Sequence, residues 1–492
     1  MSTPAVDTLI IGGGICGLVS AYRLHQAGLT VTLLEAEPQA GGVIRSVKKN
    51  GFILELGPNT FPSTGEHIMA LCRDLDLTPA HTSAAAHKRY IAKRGALHPL
   101  PSSPIGALTT PLLSAAAKMR FLLEPWQPHT PDEDTTLAEF IRRRLGGEVL
   151  DTLAGPFVSG VYAGNPALMS MQAVFPKLLA MEQAHGSLLK GMLARRQAKP
   201  QAAEKTTTTN RHGKKNYALH GFPGGMGELT QALANALPPG ACRTGCRVVS
   251  LQATNDGYLA ELESGEFLHA RSVILATPAT VTATLLEAIA PIPDLSEIPY
   301  APMTVLHLGV PDDQVLPYHP LDGFGMLIPE TEGQPLLGCL WNTSLFEGRA
   351  PEGQLLLTCF IGGALHPDRA AMDEATLITQ VCDSLRQYFH CPSLTPSMTH
   401  LTRWERAIPQ YTLGHTKRIA ALEAALVGHS TLRVTGNYVD GVSINDCVRQ
   451  ATVTASRIQA ALSNPDQKFA KKKMRTESSV LINKGEGEPS KT

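Results

Sequence analysis

The chain has 492 residues, with 43 basic and 43 acidic side chains, a formal net charge of +0 and 43% hydrophobic residues. That length supports several domains, and the charge balance gives no pull toward nucleic acid or another polyanion. Nine cysteines, at 16, 72, 242, 246, 339, 359, 382, 391 and 447, form no C-x-x-C pair. An odd, scattered set argues against a disulfide framework and a cysteine-bound metal, so no metal site is expected and a reducing, cytoplasmic compartment is.

The opening MSTPAVDTLIIGGG has neither a basic n-region nor an Arg-rich presequence, so no cleaved leader is expected. Residues 6–35 read as strand, glycine turn, helix and strand. Gly12, Gly14 and Gly17 form G-x-G-x-x-G directly behind the first strand. Gly12 permits a tight turn, Gly14 lets backbone approach a pyrophosphate, and Gly17 lets helix and strand pack closely. The helix starts at Ile15 and aims its first amides and positive dipole end at the phosphates. Glu35 ends the second strand 18 residues past Gly17, where a carboxylate takes both ribose hydroxyls and repels a 2′-phosphate. A purely structural glycine turn leaves Glu35 unexplained. Next, EAEPQAGGVIRS adds Gly41 and Gly42, which allow backbone to run beside an extended dinucleotide, and Arg45, which can meet its phosphate.

Residues 65–78 and 135–152 show helical periodicity. Residues 152–176 carry no charge but include Gly155, Pro156, Gly160, Gly164, Asn165 and Pro166, which would break a lipid-exposed helix. A buried, kinked segment lining a cavity is expected, with peripheral membrane contact left open. The basic, low-complexity stretch 195–216 reads as a flexible excursion. Order resumes at 217 with strand, turn and helix. Residues 246–277 read as an antiparallel meander, and 303–362 are again strand-rich. RVTGNYVDGVSINDCVRQATVTASRIQAAL gives a strand, a glycine-containing turn and a long helix, followed from 463 by a tail of disordered composition. Strand–turn–helix pieces recur near 220 and 435, which points to one domain assembled from separated segments.

Those stretches together resemble the glutathione-reductase-like flavoproteins, in particular the amine oxidase and protoporphyrinogen oxidase branch. LELGPNTF (54–61), PFVSGVYAGNP (156–166), GFPGGMGEL (221–229) and GNYVDGVSINDCV (436–448) carry the likeness. It implies an α/β fold: a Rossmann-like FAD domain from 1–75, 218–285 and 400–462, with a β-rich substrate domain from 286–399 and 76–89. A helical, membrane-contacting region would span 90–217. It also implies FAD as cofactor, with Gly57, Pro58, Asn59 and Thr60 near it and Val248 on the strand that reads adenine. Thr277 would turn back to the cofactor. Gly436, Asn437, Gly441, Val442 and Ser443 would begin a helix aimed at the flavin; Asn437 stands where many relatives carry Asp and cannot supply charge.

The implied reaction is oxidation of protoporphyrinogen IX by dioxygen, with peroxide formed, in porphyrin biosynthesis. Arg89 would pair a propionate, and Phe324, Leu327 and Phe360 would sandwich the macrocycle. Gly160 and Gly164 would let backbone approach it. Core packing is an equal account of the three apolar residues, and a solvated loop an account of Arg89. No acid/base constellation emerges; His220 and His366 read as core or surface. Coproporphyrinogen III, another superfamily oxidase or desaturase, and a non-enzymatic binding protein like the prenylated-GTPase chaperones are the alternatives. Tyr411 and Tyr438 can be misread as an amine oxidase cage. A homodimer and hand-off of product to a chelatase are left open.

Overall fold

A computed structural model of the chain describes residues 6–101, 106, 109–129, 134–197 and 219–463. Most of the expected excursion at 195–216, and the tail beyond 463, lie outside the described residues. Residues 195–197 complete the helix Leu188–Gln197.

The first sheet is built as its opening pattern demands. Strand Val6–Ile11 pairs in parallel with Val31–Leu34 on one side and Phe267–Leu275 on the other. Cys242–Arg243 extends the parallel set beyond Val31–Leu34, and Leu432–Val434 pairs in parallel with the end of Phe267–Leu275. The meander Val248–Ala253, Tyr258–Leu262, Phe267–Leu275 completes it antiparallel. Side chains alternate between faces along a strand, so a continuous apolar run fits a sheet covered on both sides. Ile10, Leu33 and Ile274 enter one core, and Leu9, Ile11, Leu34, Val273 and Leu275 the other. Helices Ile15–Gln26 and Ile444–Ser463 pack side by side over the first face.

The second sheet runs Met398–Pro409, Tyr300–Pro311, Gln354–Gly362, Leu336–Trp341, Gly325–Leu327, Tyr90–Lys93, Ala96–Pro99. One face packs on helix Glu374–Phe389 through Leu377, Val381 and Leu385, four residues apart and all buried. Each such side chain contributes roughly 1.5–3 kcal/mol of transfer free energy. Asp373 starts that helix by accepting the Thr376 amide at 2.9 Å. The opposite face meets a separate two-stranded hairpin, Ser46–Lys49 and Phe52–Glu55: His307 Nε2 lies 3.0 Å from the Glu55 carbonyl, and Trp404 Nε1 donates to Leu56 O at 2.7 Å.

Two boundaries differ from expectation. The hairpin Tyr90–Pro99 is not helical; it joins the second sheet through Leu327 and Met326. Residues 400–409 also belong to that sheet and not to the parallel one. Both assignments depend on long-range pairing, which local periodicity does not report.

The helical region holds Ala115–Leu122, Leu137–Arg144, Gly155–Tyr162, Pro176–His185 and Leu188–Gln197. Thr136 and Glu139 form a reciprocal cap at the start of the second. Arg144 is fully buried; its Nε donates to Glu124 at 2.9 Å, and Glu182 lies 3.5 Å away. Residues 152–176 depart from the expected burial. Pro156, Val158 and Met169 are buried, but Phe157 is 47% exposed, Val161 44% and Leu168 55%. Absence of charge was the signal, and it marks apolar surface as readily as core.

Candidate active site

The glycine turn is shaped by three distinct constraints. Gly12 sits at φ +106°, and a Cβ there would lie 2.6 Å from Ala276 O. A Cβ on Gly17 would lie 1.9 Å from Gly12 O, so the helix seats directly on the turn. Above Gly14 nothing lies within 4 Å of an added Cβ. That space stands at the N-terminus of Ile15–Gln26, where unpaired amides and the helix dipole favour an anion. Glu35 arches over the turn: its Oε2 accepts the Gly13 amide at 2.6 Å, and its Oε1 accepts the Glu37 amide at 2.9 Å.

The second glycine pair touches the first. Gly41 N donates to Gly13 O at 2.8 Å, and a Cβ on Gly42 would approach Gly14 Cα to 3.2 Å. Arg45 donates through Nη2 to Gln39 O at 3.2 Å, while its buried Nε has no partner among the described residues. An orphaned guanidinium donor beside an anion cradle fits a phosphate. Gly57 packs against Val43 O. Pro58 and Thr60 are half-buried beside it, and buried Asn59 donates to Gly57 O at 3.0 Å. On the far side, Cys246 N donates to Glu35 O at 2.8 Å, bringing Val248 alongside the end of the second strand. Thr277 lies beside Gly12 through Ala276, its hydroxyl 2.8 Å from that of Thr282.

The C-terminal motif reaches the same place. Gly441 takes φ +96°, Ser443 Oγ accepts the Asp446 amide at 3.1 Å, and the long helix begins at Ile444. Cys16 Sγ is 3.8 Å from Cys447 O, so the first turns of the two helices adjoin. Gly436 packs against the Tyr438 ring, and the Asn437 carbonyl accepts the Tyr411 hydroxyl at 2.5 Å. Val442 packs in the helical region's core with Tyr162 and Tyr411. Tyr411 and Tyr438 are 3% and 1% exposed and hydrogen-bonded, so they build no open cage.

Among the substrate candidates, Leu327 and Phe360 face the same side of the second sheet. Both pair with Gly338, which puts them two strand spacings apart, about 10 Å, with no side chain between. Leu327 Cδ2 would be 2.5 Å from a Cβ on Gly160, so the glycine lets helix Gly155–Tyr162 close on the strand. Phe157 and Val161 of the same helix are exposed, and the Phe157 ring lies 6.2 Å from that of Phe175. Phe324 is not brought into this row; it clusters with Ala86, Leu345 and Phe346. Gly164 packs against Met169 and Gln410 instead of the sheet.

Arg89 stacks over the Phe324 ring at 5.3 Å from its centroid. Among the described residues it has no ion-pair partner, and packing around the guanidinium lowers its pKa through lost hydration. Its neighbours are occupied: Lys88 pairs with Asp322, and Lys93 with Glu148 at 3.1 Å. Cavities of about 320 and 250 Å³ flank the 155–169 segment, lined by Pro156, Ser159, Leu337 and Arg369 in one case and by Leu168 and Pro302 in the other.

Two networks lay outside sequence reasoning. Asn342 Nδ2 donates to Asn59 Oδ1 at 2.8 Å and Thr358 Oγ1 to Asn342 Oδ1 at 2.7 Å, tying the GPNT segment to the second sheet. Buried Glu55 accepts Arg349 Nη1 at 3.0 Å, Ser46 Oγ at 2.5 Å and the Met226 amide at 2.9 Å. Only the placement of Glu55 just before GPNT hinted at this.

Comparison with known proteins agrees with the cradle. The model of the flavin containing amine oxidoreductase family matches residues 15–459. The chain is 30% identical to coproporphyrinogen III oxidase of Bacillus subtilis (strain 168), over 93% of this chain and 98% of that protein. It is 32% identical to a chloroplastic protoporphyrinogen oxidase of Nicotiana tabacum, over 93% and 86%. A crystal structure from Exiguobacterium sp. 255-15, provisionally named a protoporphyrinogen oxidase, superposes with TM-score 0.78 at 25% identity, covering 94% of this chain and 100% of that one. The chain belongs to the flavin-containing amine oxidoreductase family and is an FAD-dependent oxidoreductase.

Proposed function

We propose that this enzyme oxidises protoporphyrinogen IX to protoporphyrin IX with dioxygen as final acceptor. When bound, FAD supplies two-electron oxidation of a carbon centre and return of those electrons to dioxygen. The protein's part is placement. The opposed helix starts and the Gly14 space would hold the cofactor, with Glu35 on the ribose and Arg45 on phosphate. The Leu327–Gly338–Phe360 row, on which helix Gly155–Tyr162 packs through Gly160, is the apolar surface to which we assign the macrocycle.

The observation that carries this reading is Arg89, an exposed cation that has no counter-charge among the described residues and stacks on the Phe324 ring. A guanidinium so placed suits a carboxylate on a large apolar body. Coproporphyrinogen III is the second reading, favoured by the name of the Bacillus relative. A substrate with four propionates calls for more free cations. Lys88 and Lys93 are already paired, and Arg94 lies at the far turn of the hairpin, its amide 2.7 Å from Glu332. This favours the substrate with fewer carboxylates.

Porphyrin fluorescence under air, with each porphyrinogen offered separately, tests both. Greater kcat/KM for protoporphyrinogen IX is expected; the reverse order overturns the first reading. In the same assay Arg89→Ala should raise KM about 10- to 100-fold, the worth of a charge-assisted hydrogen bond, with kcat within about twofold. An unchanged KM removes Arg89 from the site.

No helix among the described residues is long and apolar enough to cross a membrane. We assign peripheral contact to Met119, Leu122, Leu123 and Trp126, the last 77% exposed. Flotation with anionic lipid vesicles should carry the protein upward, and Trp126→Ser should weaken this. Protein that stays in the buffer fraction overturns the assignment.

A further inference from the structure

We infer that Tyr411 is a positioning residue for the flavin: it fixes the loop that starts the C-terminal helix and, through adjacent Gln410, couples that loop to the helix beside the substrate wall. The inference rests on FAD lying at the start of Ile444–Ser463.

The Tyr411 hydroxyl makes two bonds across the loop. It donates to Asn437 O at 2.5 Å and accepts the Gly441 amide at 2.9 Å. One hydroxyl thereby clamps both ends of the 437–441 turn, and Gly441 at φ +96° cannot be replaced by an ordinary residue without strain. The ring is held as firmly. It stacks on His415 with centroids 4.1 Å apart and planes 11° apart. His415 Nε2 in turn lies 2.8 Å from Tyr438 O, inside the same turn. Burial lowers the His415 pKa to about 4, so the ring is neutral near pH 7 and Nε2–H is the donor to that carbonyl.

The backbone of Tyr411 faces the other way. Its carbonyl accepts the Ser170 amide at 2.8 Å, and neighbouring Gln410 donates Nε2 to Tyr162 O at 2.8 Å. Tyr162 ends the helix that carries Gly160, whose face meets Leu327. Thus two adjacent residues, Gln410 and Tyr411, join the end of the substrate-side helix to the amides that approach the cofactor. Those amides stabilise negative charge where it develops on reduction. Loosening the clamp should weaken both FAD binding and reduction.

Tyr411→Phe keeps the stacked ring and removes only the hydroxyl, leaving Gly441 N and Asn437 O unpaired. FAD added to apoprotein should bind about tenfold more weakly, which is about 1.4 kcal/mol. The reduction potential of the bound flavin should fall. Tyr388→Phe is the control. It removes a hydroxyl 3.2 Å from Glu332, in the helix behind the second sheet, and should leave affinity and potential as in the parent. If Tyr411→Phe does not fold, His415→Phe carries the same test by retaining the stack without the bond to Tyr438 O. Parental affinity and potential in the folded Tyr411 variant, or an equal loss in the Tyr388 control, overturn the inference. A parent protein that binds no FAD would overturn the flavin reading itself.

Discussion

Gly14→Ala should fold as well as the parent and emerge without its yellow cofactor. The residue takes φ −70°, which alanine adopts freely, and an added methyl meets no protein atom within 4 Å. Glycine and alanine differ by only a few tenths of a kcal/mol to about 1 kcal/mol at a helix start. The methyl would instead occupy the space where the pyrophosphate must approach the backbone. A loss of more than about 100-fold in FAD affinity is expected, since both phosphate contacts and helix-terminal amides are displaced together. Gly17→Ala supplies the contrast. Its methyl would lie 1.9 Å from Gly12 O, against a turn with little room to yield, since even a Cβ on Gly12 would lie 2.6 Å from Ala276 O. That variant should lose cofactor and stability at once, by about 3 kcal/mol or more. Urea unfolding of the apoproteins, with flavin content after gel filtration, separates the two outcomes. Normal flavin content in Gly14→Ala would show that the pyrophosphate lies elsewhere.

The second large effect is expected at Arg349. The Glu55–Arg349 pair is 1% exposed at both side chains and joins residues far apart in the chain. Burial raises the Glu55 pKa, against the lowering effects of Arg349, Ser46 and the Met226 amide. Its contacts therefore offset the desolvation only in part, as is usual for buried ion pairs. Arg349→Leu leaves the carboxylate buried without its charge partner and also loses the bond from Arg349 Nη2 to Phe222 O, 3.0 Å, and the stacking on Phe346. A destabilisation of about 3–5 kcal/mol is expected from urea midpoints. Adding Glu55→Gln to that variant should recover part of it, because a neutral amide costs less to bury. A loss below about 1 kcal/mol, or no recovery in the double variant, would show that the pair does not hold these segments.

The cofactor end of the molecule was legible because its signals are local. Gly12, Gly14 and Gly17 lie within six residues, and Glu35 follows one helix and one strand later. Gly441 and Ser443 announced the start of the closing helix in the same way. The substrate end was less legible. Leu327 and Phe360 share a face only because Gly338 pairs with both, a register set by three strands. Phe324, three residues from Leu327, turns into a different cluster. The hairpin Tyr90–Pro99 looked like the edge of a helical region, since its partner, Gly325–Leu327, is more than two hundred residues away. Tyr411 carried no motif at all. Its role depends on a turn and a helix end that only the fold brings within 3 Å.

Anaerobic mixing of the purified holoprotein with protoporphyrinogen IX tests the central assignment most directly. Flavin absorbance should bleach in a single turnover, then return as porphyrin fluorescence rises when air is admitted. A flavin band that stays unchanged at saturating porphyrinogen, while a different donor bleaches it, would contradict the assignment.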